Sequence, residues 1–248
     1  MVSINYGDEQ MKELYEKLYR GTSESYYLKL SKYLDNNEKK CILTANPEMF
    51  SIAKHNDVIK KGILNKDYDV VTDGIAIKAT ARFYKVHIPE RITGIDITKK
   101  LLEFGNQKKK TIYLFGAEKK VLEKLEKDIK EKYKRLKIVG ATNGYIKDKE
   151  AEIKKIIQKE PDICLVALGI PTQEEIILSI MPHVKKGIYI GVGGTFDVLS
   201  GYKKRAPEFY IKHNMEWFYR IASEPKRIPR FLKYNILFCF KTLFDSKK

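Results

Sequence analysis

The sequence predicts an α/β protein: a Rossmann-like, mostly parallel sheet with helices on both faces, followed by a basic, amphipathic, helical C-terminal appendage. Three observations predict it. Short apolar runs alternate with amphipathic stretches of helical length from about residue 41 to residue 201, the pattern of repeated strand–helix–strand units. The runs are continuous rather than alternating, as in Ile163-Cys164-Leu165-Val166-Ala167-Leu168, and strands covered on both faces read that way. Beyond residue 201 this alternation stops, and lysine, arginine and aromatic residues take over. The chain therefore divides into an α/β domain over 1–201 and an appendage over 202–248.

The start is polar and tyrosine-rich, with two helical patterns, roughly Asp8 to Arg20 and Ser23 to Leu34. Cys41 to Leu43 reads as the first strand, and Thr44-Ala45-Asn46-Pro47 leads from it into a helix whose first turn suits Pro47. Thr44 and Asn46 are polar groups at a strand end, either ligand contacts or caps of that helix. After a further helix, Val70-Val71-Thr72 forms the second strand and reaches Asp73-Gly74. Ile75, Ala76, Ile77, Ala79 and Ala81 then continue as a helix closing on Arg82 and Lys85. Asp73 lies where open α/β sheets hold ligands, outside the carboxyl ends of the strands, and it equally fits the N-cap of the helix it precedes. Arg91, in Glu90-Arg91-Ile92-Thr93-Gly94 before the next helix, is either a fork for phosphate oxygens or a surface arginine.

From Lys110 the pattern becomes regular. Thr111 to Phe115 is a strand, Glu118 to about Tyr133 a charged helix, and Leu136 to Gly140 the next strand, together a βαβ unit. Asn143-Gly144 marks a turn, and a helix runs from about Lys149 to Lys159. The strand at 163–168 ends in Gly169-Ile170-Pro171-Thr172-Gln173-Glu174. A last strand, Gly187 to Ile190, runs into Gly191-Val192-Gly193-Gly194-Thr195-Phe196-Asp197. These glycines fit a phosphate cradle, because they let backbone N–H groups approach an anion at a helix start. They also fit a closely packed strand-to-helix turn, and the spacing is not the G-x-G-x-x-G of a first-strand dinucleotide fingerprint. In a parallel sheet, Thr44 with Asn46, Asp73, Gln173 with Glu174, and the glycines with Asp197 all share one edge, which marks that edge as the candidate site.

At 248 residues, with 43% hydrophobic residues, the chain fits one large domain or a domain with an appendage. Cys41, Cys164 and Cys239 are odd in number and far apart, which suits a reduced compartment better than a disulfide framework. No stretch approaches the roughly 18 apolar residues of a spanning helix, and MVSINYGDEQ lacks the regions of a signal peptide, so a protein kept inside the cell is expected. His55, His87, His183 and His213 are scattered, giving no zinc spacing. Asp67-Tyr68-Asp69 has a metal-binding form but precedes its strand, and reads as a loop. The net charge of +16 calls for an anionic partner. Residues 202–248 hold twelve Lys and Arg against four Asp and Glu, half of that excess, interleaved with Phe209, Tyr210, Trp217, Phe218, Tyr219, Phe231, Tyr234, Phe238 and Phe240. That composition fits a peripheral anchor on an anionic membrane and, on composition alone, a nucleic-acid surface.

Several of these segments stand in register with one family. Thr44-Ala45-Asn46-Pro47, Asp73-Gly74, Arg91-x-Thr93-Gly94, Gly169-x-Pro171-x-Gln173-Glu174, GVGGTFDVLSG at 191–201, Arg205-Ala206-Pro207, Glu216-Trp217-x-x-Arg220 and Glu224-Pro225-x-Arg227-x-x-Arg230 together resemble the WecG/TagA/CpsF glycosyltransferase family, from about residue 41 to residue 232. Thr172 stands where members often carry Lys, and Ile170 where they carry Ala. The resemblance implies an inverting, metal-independent glycosyltransferase that needs no cofactor and lies on the inner face of the cytoplasmic membrane. It implies a UDP-sugar donor, an acceptor of GlcNAc on a polyprenyl diphosphate, and no nucleic-acid partner. In the TagA branch the sugar is N-acetylmannosamine, and other branches transfer its uronic acid, glucose or glucuronic acid. The family makes Asp73 the general base and places Thr44, Asn46 and Gln173 around the substrates. It gives Arg91, the amides near Gly193 and Gly194, and Arg220, Arg227 and Arg230 to the diphosphate or to lipid headgroups. A tail whose apolar face finds no mate in the sheet is expected to favour self-association in solution.

Overall fold

A computed structural model describes residues 6–245; the first five residues of the start and the last three of the tail lie outside the described residues. Two helices, α1 (Tyr6–Glu16) and α2 (Ser23–Asp35), precede the first strand, β1 (Lys39–Ala45). Then follow α3 (Pro47–Ala53), α4 (Asp57–Leu64), β2 (Asp69–Thr72), α5 (Ile75–Ala81), α6 (Gly94–Gln107), β3 (Thr111–Gly116), α7 (Lys119–Lys132), β4 (Lys137–Thr142), α8 (Lys149–Lys159), β5 (Ile163–Ala167), α9 (Thr172–Ile180), β6 (Gly187–Gly191) and α10 (Thr195–Leu199). The tail carries α11 (Glu208–Lys212), α12 (Glu216–Ser223), α13 (Ile228–Phe231), a π-helical turn over Leu232–Ile236 and α14 (Leu237–Asp245). The six expected strands are all present, displaced by one or two residues at their ends. The first helix stops at Glu16 rather than Arg20, because Leu18 bridges to Val70 and the Tyr19 N–H donates to the Val70 carbonyl at 2.8 Å.

The strands form one all-parallel sheet in the order β2-β1-β6-β5-β3-β4. Alternate residues of each strand serve opposite faces, as the pleat requires. Cys41, Leu43, Val70, Tyr113, Phe115, Cys164, Val166 and Tyr189 pack under α1, α3, α4, α5, α8 and α9. Ile42, Val71, Ile112, Leu114, Ile163, Leu165, Ile188 and Ile190 pack under α2, α6, α7 and Phe196 of α10. With helices on both sides, apolar side chains are needed on every strand position of the centre, which is why β5 and β6 are buried throughout. Asp69 opens β2 and accepts hydrogen bonds from the hydroxyls of Tyr26 (3.2 Å) and Tyr33 (3.0 Å). Its carboxylate is thereby part of the packing of α2.

The tail is docked along the α1/α3/α5 face. Phe238 is only 5% exposed and joins the core on that face, Thr242 is buried beside it, and Arg230 forks Glu48 at the start of α3. So the apolar face for which the sequence offers no mate has one for part of its length. Leu232, Ile236, Leu237, Phe240 and Phe244 stay exposed on the other side. Replacing Phe238 by Ala removes the side chain that holds α14 down, at a cost of about 3–5 kcal/mol. The expected outcome is several-fold faster tryptic cleavage at Lys233 and Lys241, with the sheet domain surviving as the resistant fragment.

Candidate active site

The polar strand ends meet because the strands that carry them, β2, β1, β6 and β5, are consecutive in the sheet. The turn after β2 is fixed first. The backbone N–H groups of Asp73 and Gly74 both donate to the Ala45 carbonyl at the end of β1, at 3.0 and 3.1 Å. A Cβ on Gly74 would meet Pro47 Cδ at 2.8 Å and Asn46 Cα at 3.1 Å, so glycine is what lets the two turns lie this close. Gly74, not Asp73, occupies the cap position of α5, and no side chain caps that helix. The capping alternative for Asp73 is thereby removed, and its half-buried carboxylate is left for other chemistry. Burial raises the carboxyl above its ordinary range, Arg91 and then Arg220 draw it back, and Glu216 and Asp96 add to the rise.

Asn46 caps α3, its Oδ1 accepting from the Met49 N–H at 3.0 Å. That leaves the Nδ2 hydrogens as the donors it can offer a ligand. Thr44 is buried at the end of β1, with its methyl group 3.6 Å from where a Cβ on Gly94 would lie. Arg91 is brought alongside β2 by the Ile92 N–H, which donates to the Thr72 carbonyl at 2.8 Å. Its Nη2 lies 3.1 Å from Glu216 Oε2, both side chains being nearly enclosed. Arg220, one turn along α12, places Nη2 3.1 Å from Glu216 Oε1, and Arg205 Nε lies 3.8 Å from the same oxygen. Arg205 also forks Asp96 at 2.8 and 3.0 Å, and Thr93 donates to Asp96 Oδ2 at 2.6 Å. Desolvation raises Asp96, but the Arg205 and Thr93 hydrogen bonds together outweigh it and hold the carboxyl low.

The four candidate arginines thus separate. Arg91 and Arg220 act on Asp73. Arg227 is paired with Glu224 at 2.7 Å and Arg230 with Glu48 at the start of α3. Gln173 has structural work at this edge. It is 2% exposed, and its Oε1 accepts from the Gly169 N–H at 3.1 Å and the Gly193 N–H at 3.0 Å. One amide therefore ties the turn after β5 to the turn after β6, and it lies where a Cβ on Gly191 would come within 2.6 Å of Nε2. The Gly193 amide is thereby withdrawn from the phosphate cradle, and Gly194 is what remains of it. Gly193 itself has a positive φ of 50° with open space beside it, so its glycine character serves the backbone bend.

Sequence reasoning did not select Glu216, Asp96 or Arg205 as site residues. Glu216 and Arg205 stand in the segments Arg205-Ala206-Pro207 and Glu216-Trp217-x-x-Arg220. An acid in so basic a tail, four residues before an arginine, was the available signal. Glu174 is 1% exposed; its Oε1 accepts from Gln173 Nε2 at 2.7 Å, and its Oε2 has no partner.

A family model described as the glycosyl transferase WecG/TagA/CpsF family matches residues 17–248. The chain is 38% identical over 201 residues to the N-acetylglucosaminyldiphosphoundecaprenol N-acetyl-beta-D-mannosaminyltransferase of Bacillus subtilis strain 168, covering 81% of this chain and 78% of that one. It is 36% identical over 200 residues to the protein of the same name from Bacillus spizizenii, covering 81% and 77%. To that of Staphylococcus aureus strain MW2 it is 31% identical over 208 residues, covering 84% and 81%.

Glu174 gives the site region a pH signature. Burial, against the weaker opposing hydrogen bonds from Gln173 and the backbone, pushes its carboxyl up from 4.5 to about 7, with Glu48 and Glu175 adding. A raised folded value means the folded chain keeps a proton that the unfolded chain releases. The associated stability is full below pH 4.5 and is lost as pH rises toward and through 7. Glu174→Gln is expected to remove that loss, so that urea titrations show the variant gaining on the native chain between those values, by up to about 3 kcal/mol.

Proposed function

From the premise that this chain belongs to the WecG/TagA/CpsF glycosyl transferase family, we propose that it transfers N-acetylmannosamine from UDP-ManNAc to the 4-hydroxyl of GlcNAc on undecaprenyl diphosphate. That reaction builds the linkage unit of a wall teichoic acid. The observation that carries the mechanism is Asp73: a half-buried carboxylate at the strand-end edge, relieved of capping, raised by burial and flanked by two arginines. Asp73 takes the proton from the acceptor hydroxyl as that oxygen attacks the anomeric carbon. The carbon–oxygen bond to the UDP breaks on the opposite side, and the leaving diphosphate departs with the bonding pair. The beta linkage in the relatives' name supports reading the displacement as inverting.

A general base contributes on the order of 10² to 10⁴ in rate. Arg91, Arg220 and the Gly194 amide stabilise the charge that grows on the diphosphate. Arg91 and Arg220 supply positive charge at the site from side chains, which fits a metal-independent transfer. Thr44 and the Asn46 amide line the same edge, and Gln173 shapes it by holding the turns after β5 and β6 together. The division at residues 201 and 202 then separates the sheet that holds the base from an appendage that completes its charge.

That appendage also supports a peripheral membrane location on the inner face. No described helix is long and apolar enough to cross a membrane. Trp217, Phe218, Ile228, Leu232, Leu237, Phe240 and Phe244 are exposed along a segment rich in Lys and Arg. Aromatic and aliphatic groups at the headgroup boundary with cations on anionic lipid account for both features, and away from lipid the same patch drives self-association. Sedimentation with phosphatidylglycerol vesicles is expected to retain the native chain and to lose most of a Phe240→Ser/Phe244→Ser double variant, with both chains largely unbound to neutral phosphatidylcholine vesicles.

The reaction is tested by transfer of radiolabelled ManNAc from UDP-ManNAc to a short-chain GlcNAc diphosphate lipid, with EDTA present. The native chain is expected to make product, and Asp73→Asn to lose at least about a hundredfold. An Asp73→Asn chain as active as the native one would remove the base assignment. A native chain that uses another UDP-sugar instead would keep the family mechanism and change the substrate.

A further inference from the structure

We infer that Glu216 is a positioning residue of the reaction: its buried carboxylate gathers Arg91, Arg205 and Arg220 into one cluster and balances their charge beside Asp73. The inference rests on the reading of Asp73 as the base. Glu216 is 3% exposed, and a carboxylate so enclosed is tolerable only when paired on both oxygens. Both are paired: Oε2 by Arg91 at 3.1 Å, Oε1 by Arg220 at 3.1 Å with Arg205 at 3.8 Å.

The three guanidiniums come from three separate places, the segment before α6, the segment after α10, and α12 itself. No single element of structure holds them together. Arg91 and Arg205 are largely enclosed and Arg220 is half exposed; like charges brought to one point repel one another, most where they are least solvated, and the carboxylate between them offsets that repulsion. Glu216 therefore does for these arginines what an anionic ligand would otherwise have to do, and does it before any ligand arrives.

The charge balance extends to the base. Arg91, Arg205 and Arg220 face Glu216, Asp96 and Asp73, so the group is neutral when Asp73 is ionised. The groups acting on Asp73 are Arg91 before α6, Arg220 and Glu216 on α12, and Asp96 on α6. Tyr27 of α2 also reaches the group; burial raises its hydroxyl to about 12, with Asp96 and Glu90 adding and Arg205 opposing. Taking the charge from Glu216 leaves the arginines in excess. Asp73 then holds its proton less tightly and becomes a poorer base, while the cluster loses the pin that sets its geometry. A residue that only fastened the tail would have no reason to move the ionisation of Asp73.

The test is the pH dependence of kcat/KM for the full chain, with UDP-ManNAc and the short-chain acceptor, in the native protein, Glu216→Gln, Glu216→Asp and Asp73→Asn. Glu216→Gln is expected to move the acidic limb down by about half to one pH unit and to lower the plateau several-fold. Glu216→Asp, which keeps the charge on a shorter arm, is expected to return the limb to its native position even where the plateau stays low. An unmoved or raised limb in Glu216→Gln overturns the inference while leaving the base assignment intact. Loss of the fold in both variants by circular dichroism overturns it too, since the carboxylate is then a structural pin alone. An Asp73→Asn chain as active as the native one removes the base assignment, and this inference with it.

Discussion

Two carbonyl groups at neighbouring strand ends carry the site. The Ala45 carbonyl closes β1 by accepting the amides of Asp73 and Gly74, and the Thr72 carbonyl closes β2 by accepting that of Ile92. Ala45 and Thr72 are paired in the parallel register, so both strands end level. The first bond pair sets where the carboxylate leaves the sheet, and the second sets where the arginine enters beside it. The strands themselves cannot slip, because each residue alternates between two cores and a shift of one position would turn every buried side chain to the wrong face. Packing that is remote from this edge thereby fixes the distance between Asp73 and Arg91.

Around that frame the electrostatics are of opposing kinds. Burial favours the neutral form of Asp73 and the arginines favour the charged form, so the group is held between the two rather than surrendered to either. Arg91 and Arg205 in turn are not loose surface cations. They are immobilised by carboxylates contributed from the tail and from α6, and their entropy is already spent before a substrate arrives. Arg220, Arg227 and Arg230 show the contrast: each is paired with an acid, but its own side chain is roughly half exposed, where such pairs count for less.

Much of this was legible in the sequence. The continuous apolar runs at 41–43, 163–168 and 187–190 identified central strands because a sheet covered twice leaves no position for a polar residue. Asp73 could be singled out by its place after a strand, but whether it capped a helix depended on Gly74 and on the approach of Asn46, a contact between residues 28 positions apart. The role of Gln173 was hidden for the same reason. An amide oxygen shared by Gly169 and Gly193 is a matter of two loops meeting, and neither loop carries the other's address. Residues of the tail were readable as charge and aromatic content. Phe238 does not differ in sequence from Phe240, yet one is buried and the other exposed; only the path of the tail over α3 and α5 separates them.

The bridge from Leu18 to Val70 bears on how copies of this chain can meet. A terminal strand normally offers its unpaired backbone groups to any passing strand. Here the segment leaving α1 takes the Val70 position on the outer side of β2, the strand that leads to Asp73. The sheet's other terminal strand, β4, lies five places away and opens on the exposed Lys137. Association through strand addition is thus steered to the end of the sheet remote from the carboxylate, and assemblies formed that way would leave the strand-end edge unobstructed.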